Sequence, residues 1–149
     1  MSGVFLVVWD KQEKEKSVLL RTTTGGYPHM TLVYTGNKVN IRSLTCLSAG
    51  VSMYIGEDLH LDTAVVNSFT RDDGTERHDV LMTITKTDDD KFRGLSDILH
   101  QGLGIPINPN RILHVTHSTH STRAEAEAEL AAILPLLPYT VRVTGVCFD

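Results

Sequence analysis

Cysteine is scarce in this chain: Cys46 and Cys147 are the only two among 149 residues. They form no C-x-x-C pair, so the spacing that zinc sites use is missing, and a disulfide framework is not indicated. A reducing, cytoplasmic compartment is the simpler expectation, with the nucleus as the other. Long apolar runs are also lacking. The run Val4–Val8 is five residues long, has no basic stretch before it and is closed by Trp9-Asp10-Lys11, so it is not read as a signal peptide. Nothing approaches the ~18 apolar residues that span a membrane, and no membrane partner is expected. Excess positive charge is absent too. Lys and Arg number 14 against 18 Asp and Glu, a net charge of -4, which excludes a surface built to coat nucleic acid. A pocket for one or two phosphates stays open, because local charge can differ from net charge.

What is present is an ordinary globular composition, 41% hydrophobic and 21% charged, long enough for one domain over residues 1–149 with a proper core. Strands are expected at Val4–Trp9 and Pro28–Tyr34. Between them lie a charged loop at Asp10–Lys16, a possible second hairpin arm at Ser17–Arg21, and a turn at Thr22–Gly26 whose paired glycines free the backbone. Asn40 is placed to cap a short helix over Ile41–Ala49. Leu59–Arg71 and Arg77–Lys86 read as strands joined by the turn Asp72-Asp73-Gly74. Asp88–Gln101 reads as a helix. Its N-terminal aspartates favour the macrodipole, Phe92, Leu95, Ile98 and Leu99 form its apolar face, and Gly102 follows. Gly104–Asn110 is a loop and Arg111–Ser118 a strand. Thr122 and Glu125 make a capping box for a helix over Arg123–Leu134, which stops at Pro135. Tyr139–Phe148 is a last strand.

Two of these strands carry the same pattern. In Pro28-His29-Met30-Thr31-Leu32, the period of two puts His29 and Thr31 on one face and Pro28, Met30 and Leu32 on the other. In Leu113-His114-Val115-Thr116, His114 and Thr116 share a face opposite Leu113 and Val115. Each motif strand precedes a capped helix, so the chain reads as two similar halves whose motif strands lie side by side about a pseudo-twofold axis. One His-x-Thr arises readily by chance. Two, at like places in like strands, pair an imidazole and a hydroxyl twice over. That set suits a phosphodiester. Attacking water must lose a proton, the leaving oxygen must gain one, and histidines titrating near neutrality can divide the tasks. Hydroxyls can donate to the non-bridging oxygens where charge develops. Alternation places His117 on the packed face, yet His117-x-Thr119 remains a second possible register. A zinc reading of His114, His117 and His120 suits a helix better than a strand.

The chain resembles the 2H phosphoesterase superfamily on Pro28-His29-Met30-Thr31-Leu32 and Leu113-His114-Val115-Thr116, with a layout that covers Val4 to Phe148. It departs at His117, where the family usually has an apolar residue. The resemblance implies an α+β, bilobal fold, with two antiparallel sheets facing a central cleft and helices outside. It implies His29 and His114 as catalytic residues, Thr31 and Thr116 as phosphate-binding residues, and no metal or cofactor. The layout is most similar to the cyclic phosphodiesterase domains of tRNA ligases. This implies an RNA-processing or RNA-repair hydrolase, a monomer, acting on RNA ends or small nucleotides that carry a 2′,3′-cyclic phosphate and leaving a 2′-phosphate. A 2′–5′ oligonucleotide, a cyclic dinucleotide, or binding of RNA ends without cleavage are the alternatives. His114 is taken as base and His29 as acid, an order the sequence leaves open. Tyr27 and Tyr34 flank the first motif and are candidates to stack on a base. Arg21, Arg71, Arg77, Lys86 and Arg111 are candidate phosphate ligands, and His60, His78 and His100 are read as structural.

Overall fold

The computed structural model describes residues 3–11, 18–20, 27–36 and 50–148. Six strands and two long helices alternate along them: β1 (Gly3–Asp10), β2 (His29–Tyr34), β3 (Asp58–Thr70), β4 (Glu76–Ile84), α1 (Lys86–Leu103), β5 (His114–His120), α2 (Arg123–Ile133) and β6 (Tyr139–Phe148). The helix expected over Ile41–Ala49, the glycine turn at 22–26, Arg21 and Cys46 lie outside the described residues. Among the described residues, no helix is long and apolar enough to cross a membrane.

Local chemistry accounts for the element ends. Gly74 takes φ +85 in the β3–β4 turn, a conformation that favours glycine, and Asp73 accepts from the backbone N–H and the hydroxyl of Thr75. α1 starts two residues before the expected Asp88, because the Thr85 side chain caps it by accepting from the Asp88 N–H. It runs on to Leu103, where Gly104 closes it with φ +68. Its buried stripe is Phe92, Leu95, Ser96, Leu99 and His100. Ile98 was expected on that stripe and faces solvent instead; Ser96 and His100 hold the positions one turn apart that the packing uses. α2 opens on the Thr122–Glu125 box as expected and gives way to a 3-10 turn at Leu134–Leu136, which contains Pro135.

The strands form one closed antiparallel ring in the order β1-β2-β5-β4-β3-β6. Two separate facing sheets were expected. The ladder joins them because β6 pairs with β1 on one edge and β3 on the other. That double pairing also leaves no free edge on β1 for a hairpin arm, and Val18–Leu20 form a 3-10 turn whose Leu19 and Leu20 enter the core. On the far side, β2 and β5 meet at a single pair, Met30 with Val115. β5 begins at His114, three residues later than expected, and continues through His120, because β4 pairs with it from Thr83–His114 out to His78–His120.

Alternation then separates two surfaces. Met30, Leu32, Val115, Val80 and Met82 pack with Phe92, Leu95 and Leu99 of α1 and Ala126 and Ile133 of α2 into one core. Intervening residues of the same strands face the other way, and on that side lie both His-x-Thr motifs.

Candidate active site

The Met30–Val115 pair is the pivot of the site. In an antiparallel ladder, that register sets Thr116 across from His29 and His114 across from Thr31, side chains ~5 Å apart at Cβ. Each motif histidine is therefore at the register position opposite the other strand's threonine. The four residues line one cavity of about 480 Å³.

Both histidines are held in the same way. His29 donates from Nδ1 to the Tyr27 carbonyl at 3.0 Å, and His114 from Nδ1 to the Ile112 carbonyl at 2.6 Å. In both cases the acceptor is two residues upstream. With Nδ1–H engaged on each ring, Nε2 is the nitrogen left for chemistry. His29 is further braced edge-on by Phe5 and Tyr27, with ring centres at 5.2 and 5.6 Å. Burial pushes the His114 imidazole below its ordinary value of 6.5. The Ile112 carbonyl and the Asp79 charge push the other way, and the charge of His29 adds to the lowering. The lowering holds the His114 imidazole neutral at neutral pH.

His117 and Thr119 stand elsewhere. A bulge follows Thr116, since Leu81 pairs with Thr116 and the next residue, Val80, pairs with Ser118. His117 is the extra residue, buried, with Nδ1 donating to the Leu19 carbonyl at 2.9 Å and Nε2 set 2.7 Å from a Glu129 carboxylate oxygen. Neither His117 nor Thr119 is among the residues that line the cavity. His120 sits within β5, beyond the expected strand end at Ser118, and its Nε2 meets the Ser118 hydroxyl at 2.8 Å.

Tyr34 lines the cavity and Tyr27 does not; the Tyr27 hydroxyl donates to the Cys147 sulfur at 2.9 Å. Of the five candidate cations, Arg77 and Arg111 are at the cavity. Arg71 instead bonds Thr75, and Lys86 pairs with Asp90. Arg77 grips Asp79 bidentately, with Nε at 3.0 Å from Oδ1 and Nη2 at 2.7 Å from Oδ2. That carboxylate holds the Arg77 guanidinium above its usual value. Arg111 donates to Asp97 at 2.5 Å and to Ser96 at 3.2 Å. His60 and His78 are tied to Asp88 and to Ser68 and Glu76, away from the cavity. His100, read as structural, is bonded to the Ser96 carbonyl and also lines it.

Sequence reading missed Asp79, Asn67, Phe69 and Asn108, all of which line the cavity. A signal existed for one of them: Arg77-His78-Asp79 at a strand start puts an opposite-charge pair on one face. Only the pairing of β4 with β5 shows which face that is.

No family model matches the chain, and no curated protein is similar to it. Among solved structures, the chain is similar to Kluyveromyces marxianus Usb1 with uridine monophosphate, at 11% identity over 97% of each chain and a TM-score of 0.48.

Proposed function

We propose that the chain is a metal-independent phosphodiesterase that opens 2′,3′-cyclic phosphate ends of RNA or small nucleotides to 2′-phosphates. The carrying observation is the paired arrangement of the motifs: two imidazoles, each with Nδ1 fixed to a carbonyl and Nε2 free, each across from the other strand's threonine. On this reading the cyclic phosphate sits between them. His114, kept neutral by burial, takes a proton from water as its oxygen attacks phosphorus. The bond from phosphorus to the 3′ oxygen breaks, and His29 gives that oxygen its proton from Nε2. Thr31 and Thr116 donate to the non-bridging oxygens, where charge builds in the transition state. His114 leaves the step protonated and His29 neutral, so solvent returns one proton and removes the other. The two chain halves then act as the two lobes of a cleft, each supplying one histidine and one threonine.

The test is hydrolysis of nucleoside 2′,3′-cyclic monophosphates in EDTA, with 2′–5′ oligonucleotides and cyclic dinucleotides run beside them. Turnover of the cyclic ends is expected, falling ~10²–10⁴-fold in His29→Ala and in His114→Ala. Turnover that needs added metal, or that both variants retain, overturns the proposal. Nucleotide binding without any turnover would leave a binding module.

A further inference from the structure

At the far end of the cavity, Arg77 is held on two sides. One edge of its guanidinium is locked to Asp79, which is 1% exposed and lies two residues along the same strand. Its Cζ lies over the Phe69 ring, 5.1 Å from the centre. Phe69 and Arg77 are cross-strand partners in the β3–β4 ladder, and Asn67 and Asp79 are the next pair inward. Tyr34, 52% exposed, stands at the same cavity from β2. The Arg77 side chain is still 41% exposed and lines the cavity, so part of its planar surface, the side away from Phe69, is open to a ligand.

We propose that this open side is the stacking surface for the substrate's nucleobase, with Asp79 and Phe69 acting as positioning residues that keep the guanidinium plane fixed. This assignment rests on the reading of the cavity as a nucleotide site. Two observations favour stacking over a phosphate grip. The Nε–Nη2 edge, one of the two that could grip a phosphate bidentately, is already taken by a buried carboxylate, whose displacement would strand a charge away from water. The Arg77 backbone is also set back from the motif residues. Leu81 lies beside Thr116, and Arg77 is four residues further along β4, ~13 Å at the backbone. That span separates the two ends of a nucleotide. Arginine planes and aromatic rings are both stacking partners for unpaired bases.

Calorimetric titration reads the proposal without relying on turnover. The probes are adenosine 2′-monophosphate and methyl riboside 2-phosphate, which carries the same phosphate and no base. Wild-type protein should bind the nucleotide about tenfold more tightly than the base-free ligand. Arg77→Lys keeps the charge and loses the plane, so it should erase most of that gap and leave the base-free affinity unchanged. Phe69→Leu should narrow the gap in the same sense, and decides the matter if Arg77→Lys does not fold. Equal weakening of both ligands by Arg77→Lys would make Arg77 a phosphate ligand and overturn stacking. So would a wild-type gap of unity, or no binding of either probe. A gap that behaves as expected in a protein without cyclic-phosphate turnover would instead overturn the proposed function and leave the stacking site standing.

Discussion

His114 is pulled in two directions, and the balance sets the pH range in which the site works. Burial and the neighbouring His29 favour the neutral ring, while the carbonyl of Ile112 and the charge of Asp79 favour the protonated one. The lowering wins, so the His114 ring stays unprotonated to a pH below the ordinary 6.5. The acid limb of kcat/KM should accordingly fall below that value. Asp79→Asn removes an influence that raises the imidazole, and so should move the limb to still lower pH; an upward move would show that Asp79 does not act on His114 through its charge. A second measurement at this scale concerns the hydroxyls. Thr31→Ala and Thr116→Ala should each reduce kcat by ~10²-fold or more, as the loss of one donor to a developing oxyanion does, whereas Thr→Ser should keep most of it. Equal activity of the Ala and Ser variants would remove the threonines from the reaction.

The motif strands keep their places because other elements hold them. Ser96, in the middle of α1, donates to the Leu32 carbonyl at 2.6 Å from a fully buried position. Ser96→Ala deletes that tie and should cost about 1–2 kcal/mol in chemical denaturation. Gly3 presses β1 against β2 from the opposite side; a Cβ there would meet the Val33 carbonyl oxygen at 2.5 Å. Gly3→Ala should cost about 1–3 kcal/mol by overpacking, and displace the strand that carries His29. Unchanged stability in both variants would mean that β2 does not depend on these contacts. At this scale the sequence was readable wherever a period of two met a clear turn. The faces of β2 and of the first residues of β5, though not the point where β5 begins, followed from alternation of His29, Met30 and Thr31, and of His114, Val115 and Thr116. The bulge at His117 did not, because it exists only in the pairing with Val80 and Leu81 of β4. Asp79 escaped for a related reason: a carboxylate on a strand reads as exposed until a neighbour such as Arg77 buries it. Ile98 misled because an apolar residue one position off a helical stripe still looks amphipathic.

Across the whole molecule, connectivity of the ring is uneven. β3 and β4 share a ladder from Leu61–Ile84 to Thr70–Glu76, and β1 is laddered on both edges, whereas β2 and β5 touch at Met30–Val115 alone. That closure was not legible in the sequence, since it depends on β6 returning between β1 and β3. Backbone amides of β2 and β5 that face each other should exchange with solvent faster than those of the β3–β4 ladder. Equal protection would mean that the ring opens only with global unfolding.

The single pair joining β2 to β5 has a thermodynamic corollary. On the proposed function, a phosphate held by His29 and Thr31 on one side and His114 and Thr116 on the other supplies cross-links that the backbone omits there. Ligand binding and seam opening are then linked: bound ligand resists opening by RT ln(1 + [L]/Kd), and a substitution that loosens the seam weakens binding in proportion to the closed fraction it removes.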